Sequence, residues 1–362
     1  MSAPEHRSST VAPRSATGPV HVLVAGVPYS YSRPFPDGHW LTEAHRTAIE
    51  SVSPRINLMH MTRDELAAGE DPEFPPEVIL TETTGTATEL DDTAWVEHLV
   101  RGADLERTFS PNLRWLQLCS HGIEKVAPML RPPVTLIRAV DVHGTGVAES
   151  VLAAMLMHAK RLVDRIENQR SHTWKLLKYG ELHGRTIVIL GAGSLGSAVA
   201  RLARAFGMHV IGMQRSPRPS PHYDEMVGRD ALADILPKAD YLVVALPKTP
   251  STISMVRAAE LALLPTGAYV VNIGRGEVLD ENDLMAALRT GALGGAYLDV
   301  FVDEPLPAGS QIWDTPNILI TPHDAHRSSS VGDRNISQFR ENLTRYLEGR
   351  SLVGVADLDA GY

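Results

Sequence analysis

The sequence predicts an α/β protein built as two doubly wound domains, and three observations predict it. Short apolar runs alternate with helical patterns along most of the chain, as parallel strands covered on both faces require. At 362 residues the chain is longer than one hydrophobic core ordinarily serves. A glycine-rich turn, GAGSLG at 191–196, stands between one apolar run and an Ala-rich helical stretch.

Residues 1–19 are rich in Ser, Thr, Pro and Arg and lack the apolar core of a secretory signal. Their three prolines would break the amphipathic helix of a transit peptide, so the expectation is a disordered tail on a cytoplasmic protein. HVLVAG (21–26) reads as a buried strand, and runs at 78–81, 113–118 and 134–138 follow it. After HGTG (143–146) the pattern becomes VAESVLAAMLMHAKRLVDRIENQ, which has no Gly or Pro and suits one long helix. Its apolar face serves core packing or a homodimer contact. The most apolar part, 147–159, contains Glu149 and His158 and is too short to cross a bilayer, so no membrane partner is expected.

A second series of strands runs through 185–190, 209–214, 241–246, 268–273, 296–301 and 318–321. Six strands linked by loops or helices meet the needs of a dinucleotide-binding sheet. A final helix at about 330–348 is expected to return to the first domain. The domains are then a substrate domain at 20–143 plus 325–362 and a dinucleotide-binding domain at 144–324.

The net charge of -9 and pI near 5.9 argue against a chain that neutralises many nucleic-acid phosphates. Cys119 is the only cysteine, which excludes an intrachain disulfide and a cysteine-built metal site and leaves a buried thiol. No metal is expected.

Gly191, Gly193 and Gly196 form G-x-G-x-x-G in a strand-to-helix context. The first permits a tight turn, the second lets a pyrophosphate approach the backbone, and the third allows close helix packing, while the helix N-terminus offers N–H groups to the phosphates. An acid that binds the ribose 2′-OH of NAD belongs about twenty residues on. Gln214 stands there instead, followed by Arg215, Ser216 and Arg218. Arginine can pair with a 2′-phosphate, so the expected cofactor is NADP(H), with NAD(H) admissible.

Three polar residues follow apolar runs of the second domain: Arg275 in VVNIGRGEVLDENDL, Glu304 in AYLDVFVDEPLP and His323 in NILITPHDAH. Strand ends of such a sheet form its ligand crevice. A guanidinium grips a carboxylate with two parallel hydrogen bonds, an imidazole is the usual proton donor to a carbonyl under reduction, and a neighbouring carboxylate favours its charged form and fixes its orientation. Each also has a plain reading, as a surface ion pair, a solvated loop acid and a strand-end cap. Beside a cofactor loop the shared-site reading is preferred.

Together GAGSLG, VNIGRGEVLDENDLMAAL, GAYLDVFVDEPLPAGSQIWDTPNILITPH and the ending VADLDAGY resemble the NAD(P)-dependent D-isomer-specific 2-hydroxyacid dehydrogenases. The resemblance implies two Rossmann-like domains with the active site in the cleft between them, and a homodimer joined through the cofactor domains. It implies that Arg275 binds substrate carboxylate, His323 is the acid/base and Glu304 its partner. It carries cofactor contacts to Ser194, Leu195, Arg215, Leu246, Pro247, Ile273 and Asp299, and substrate contacts to His121 and Gly122 in LCSHGIEKV. Gln214 with Arg215 and Arg218 looks most like the glyoxylate and hydroxypyruvate reductase branch, which uses NADPH.

Two residues depart from the family pattern: His121 stands where a small residue is common, and Asp324 where an apolar one is. The expected reaction is reversible reduction of a small 2-oxo acid to a D-2-hydroxy acid. The alternatives are oxidation of another small anion and a cofactor-sensing, corepressor-like binding protein. Glu304 speaks against formate as that anion, because formate-specific relatives carry Gln there. Substrate choice is expected to fall to first-domain loops, including YSYSRPFPDG (29–38).

Overall fold

The computed structural model describes residues 17–26, 42–62, 72–81, 112–123, 126–130 and 133–358, together with Val11 and Glu65. Most of the tail at 1–19, the segment 29–38 and the last four residues lie outside the described residues. The chain forms two compact units, Met1–Val142 with Ser328–Tyr362, and His143–Arg327.

The first unit holds five strands, β1 (Val20–Gly26), β2 (Ile56–Thr62), β3 (Val78–Thr81), β4 (Trp115–Leu118) and β5 (Thr135–Ile137). They pair in parallel in the order β2-β1-β3-β4-β5. Alternation sorts their side chains: Val20, Val22 and Val24 enter one core cluster while Leu23 and Ala25 enter the other. Numbering helices of eight residues or more, α1 is Glu43–Glu50, and Phe339, Leu343 and Tyr346 of the last helix, Val331–Leu347, fill the first cluster. Fully buried Gln117 of β4 accepts a hydrogen bond from Asn342 Nδ2 of that helix at 2.9 Å.

Strand β2 was not predicted. Its sequence INLMHMT lies at the sheet edge and is mostly half-buried, so polar residues interrupt the apolar run that marks a central strand.

The second unit carries β6 (Thr186–Leu190), β7 (His209–Met213), β8 (Glu225–Val227), β9 (Tyr241–Val244), β10 (Ala268–Asn272), β11 (Leu293–Leu298) and β12 (Ile318–Ile320). All pair in parallel, in the order β12-β11-β10-β9-β6-β7-β8. The direction of winding reverses between β6 and β9, which is the switch point where such sheets bind ligands. Val188 and Leu190 point into one core and Ile187 and Ile189 into the other, so the sheet is buried on both faces and its strands read as continuous apolar runs. The three-residue strand β8 was not predicted, being too short to show a pattern.

Two expectations require correction. The helix predicted over 147–169 is two helices, α2 (Gly144–Ala159) and α3 (Leu162–Arg170), separated at Arg161, whose φ of 52° is left-handed. The break is clasped by side chains: Lys160 Nζ donates to Gly180 O at 3.1 Å and lies over the Tyr179 ring, and Arg165 Nε donates to Lys160 O at 3.0 Å. None of α3 is buried, so no core packing keeps it in line with α2. The strand predicted at 296–301 runs instead over Leu293–Leu298. Downstream, carboxylates take over the bonding: the Phe301 N–H donates to Glu304 Oε1 at 2.9 Å rather than to a ladder partner.

Remaining helices of that size are α4 (Ser194–Ala205), α5 (Glu281–Arg289) and α6 (Val331–Leu347). Among the described residues no helix is long and apolar enough to cross a membrane.

Candidate active site

The glycine turn is shaped by missing side chains. Gly191 has φ of 103°, and a Cβ on it would stand 2.5 Å from Ala245 O. Its N–H and that of Ala192 both donate to Met213 O at 3.1 Å, tying the turn to the end of β7. A Cβ on Gly196 would overlap Gly191 O, so only glycine lets α4 approach this closely. Gly193 differs: a Cβ there would meet nothing within 4 Å. It is the N-cap of α4 and supplies no side-chain cap, so the open space lies beside a helix N-terminus. That combination fits a dinucleotide pyrophosphate, which the backbone N–H groups at Ser194 and Leu195 would hold.

Beyond β7, half-buried Gln214 donates its N–H to Val227 O at 3.0 Å, and Arg215 and Arg218 are exposed. After β9, Leu246 is half-buried, and Pro247 O accepts from Thr252 Oγ1 at 2.6 Å. Ile273 is buried at the end of β10.

Arg275 sits between two glycines for a steric reason. A Cβ on Gly274 would stand 2.5 Å from Leu246 O, and one on Gly276 would overlap the Phe301 backbone. The loop thus threads between two other backbones. Buried Asn272 clasps it, accepting from Gly274 N and donating to Arg275 O, both at 3.1 Å. Arg275 itself is half-buried, with Nη1 donating to Gly274 O at 2.9 Å.

Glu304 and His323 meet. His323 Nδ1 and Glu304 Oε2 are 2.8 Å apart, with side chains 28% and 22% exposed, so the pair is shielded yet reachable. Burial works to raise the Glu304 carboxyl, but the His323 hydrogen bond and charge, the Phe301 amide and the Arg275 charge outweigh it and hold it below its ordinary value. The His323 imidazole and the Arg275 charge thus act together on the Glu304 carboxylate.

His323 has a left-handed φ of 54°, uncommon for a residue with a Cβ. Buried Asp299 holds the turn around it: Oδ1 accepts from Thr321 Oγ1 at 2.5 Å, Asp324 N at 3.0 Å and Ala325 N at 3.1 Å. Tyr297 OH reaches Thr321 Oγ1 at 2.9 Å and extends the chain of bonds. Burial raises the Asp299 carboxyl against the pull of these donors. Asp324 is half-buried beside His323.

Sequence reasoning missed Asn272, Thr321 and His326. The spacing His323-x-x-His326 was the available signal for the last, and the ring centres of that pair are 6.0 Å apart. His121 and Gly122 belong to the first unit, in a turn after β4 where Ser120 Oγ donates to Gly122 O at 3.0 Å.

Comparison with known proteins decides the family. Residues 152–325 match the model of the D-isomer specific 2-hydroxyacid dehydrogenase NAD binding domain. A glyoxylate/hydroxypyruvate reductase A from Serratia proteamaculans (strain 568) is 35% identical over 233 residues, 63% of this chain and 73% of that protein. The chain belongs to the D-isomer-specific 2-hydroxyacid dehydrogenase family. Two solved structures agree with that assignment. A family protein from Aeromonas salmonicida superposes with TM-score 0.76 at 28% identity, over 94% of this chain and 99% of that one. The NADPH-dependent glyoxylate/hydroxypyruvate reductase from Sinorhizobium meliloti, in complex with NADP and sulfate, gives 0.72 at 27% identity over 95% and 100%. As a member of the D-2-hydroxyacid dehydrogenases, the protein is an NAD(P)-dependent oxidoreductase acting on a small 2-oxo or 2-hydroxy acid.

Proposed function

We propose that the enzyme reversibly reduces glyoxylate, hydroxypyruvate or a 2-oxo acid of that size to the D-2-hydroxy acid, and prefers NADPH to NADH. The observation that carries this reading is the shielded His323–Glu304 pair with Arg275 charging the same carboxylate, at the strand ends beyond the glycine turn. Arg275 pairs with the substrate carboxylate and fixes the 2-oxo group in reach of His323. His323, anchored through Nδ1, gives the proton on Nε2 to the carbonyl oxygen, and Glu304 stabilises the imidazolium before that transfer. Bound nicotinamide supplies the hydride in this direction. In reverse, neutral His323 takes the proton of the substrate hydroxyl.

NADPH is favoured by the absence of a carboxylate at Gln214 and by the exposed Arg215 and Arg218, and the Sinorhizobium relative is NADPH-dependent by name. A homodimer is supported by the segment after α3, where Trp174 is 98% and Leu176 91% exposed, an apolar surface a second copy would cover. Light scattering reads that state directly.

The deciding experiment follows NADPH and NADH consumption with glyoxylate, hydroxypyruvate, pyruvate and phenylpyruvate, in the native enzyme and in His323→Ala. The variant is expected to lose about 10²–10⁴-fold in kcat while still binding cofactor. Near-normal turnover in it would overturn the assignment.

A further inference from the structure

Beyond the catalytic pair, two more imidazoles continue in a row. His326 meets His323 at 6.0 Å between ring centres with planes at 83°, and meets His143 at 5.3 Å and 86°. All three belong to the second unit. Among the described residues no group of three such side chains is spaced to hold a metal ion.

His326 is kept neutral. Burial, then the charges of His143, His323, Arg327 and Arg275, push it down to about 3. The ring contact with His323 places His326 beside the proton donor of the reading above, and the Arg275 charge acts on it as well. A neutral imidazole offers one N–H donor and one lone pair. Its complement is a hydroxyl, which donates and accepts, whereas a second carboxylate would call for a cation.

The spacing also fits. Two oxygens on adjacent carbons, each taking a hydrogen bond of about 2.8 Å, can bridge ring nitrogens several ångströms apart, a reach compatible with rings whose centres are 6.0 Å apart. A carbonyl oxygen on His323 would thus bring a hydroxyl on C3 to His326.

We infer that His326 is a specificity-determining residue that binds the C3 hydroxyl of the substrate, making 3-hydroxy-2-oxo acids such as hydroxypyruvate the preferred class over glyoxylate, which has no C3. The inference rests on the 2-oxo acid reductase reading and narrows it. A site built to bond a hydroxyl discriminates strongly against an analogue without one, because its own polar group is left unpaired.

The test compares kcat/KM for hydroxypyruvate and glyoxylate at saturating NADPH in the native enzyme, His326→Phe and His326→Asn. Phenylalanine keeps a ring against His143 but removes donor and acceptor, so the hydroxypyruvate-to-glyoxylate ratio should fall about ten-fold. Asparagine keeps both functions and should retain most of the ratio. If both acids are reduced but the ratio stays within about two-fold of native in both variants, this inference alone is overturned. If the native enzyme reduces neither acid, the reductase reading fails and takes the inference with it.

Discussion

The glycine turn and the Arg275–Glu304–His323 edge lie on the same sheet and are made in opposite ways. The turn is contiguous, six residues at 191–196, and its shape follows from atoms that are absent: Gly191 and Gly196 leave room for Ala245 and for Gly191 O. The edge is gathered from three loops at 275, 304 and 323, and its shape follows from side chains that are present, chiefly Asn272 clasping the first loop and Asp299 the third. A turn defined by absence is readable in a spacing of glycines. An edge defined by convergence shows itself only once the strands are aligned.

Substitutions that add a single methyl group sharpen the contrast. Gly276→Ala forces a Cβ into the Phe301 backbone and should shift Arg275 by a fraction of an ångström or more. Misplacement of that order costs about 100-fold in kcat/KM, and native turnover in the variant would show the edge to be looser than its packing implies. Gly193→Ala adds its methyl to open space in a backbone conformation (φ -83°, ψ -158°) that alanine accepts. Its melting temperature without cofactor should equal the native one, while the NADPH dissociation constant rises about ten-fold through crowding of the pyrophosphate. A loss of stability without loss of affinity would contradict the role given to the open space.

Titration separates the two regions next. His326 sits at about 3 against an ordinary 6.5, so the unfolded chain takes up a proton below 6.5 that the folded protein refuses until far lower pH. The associated stability is fully present above 6.5 and is lost as pH falls from there towards 3, at no more than about 1.4 kcal/mol per pH unit. Denaturant melts of His326→Gln across that window should show a shallower decline than the native enzyme; equal slopes would remove the assigned shift. The smallest effect is expected at the exposed arginines. Replacing Arg215 and Arg218 by Ala should lower the preference for NADPH over NADH by about five-fold, as befits solvent-exposed ion pairs. An unchanged KM ratio would return both to the solvated surface.

Much of this is legible in the sequence. Central strands such as Thr186–Leu190 and Ala268–Asn272 are buried on both faces, so burial itself wrote them as apolar runs. The edge strands Ile56–Thr62 and Glu225–Val227 were not legible, because an edge tolerates polar residues and short length. The break at Arg161 was hidden for another reason: the helical pattern continues through it, and the bonds that fix it come from Lys160, Arg165 and Gly180. At the site, Arg275, Glu304 and His323 stood out as polar residues just beyond apolar runs. Nothing local announced that Asp299 would spend one carboxylate oxygen on three donors around His323, since those donors come from 22 to 26 residues further along the chain.

The placement of these groups along the chain makes the chemistry separable from the rest of it. Arg275, Glu304, His323, His326 and the glycine turn all fall within residues 143–327, and that stretch forms a unit with its own cores. Under the roles proposed above, proton transfer, carboxylate capture and nucleotide binding are therefore encoded in one continuous stretch. A chimaera that keeps residues 143–327 and takes the rest from a relative would, on those roles, keep the chemistry and change the substrate range.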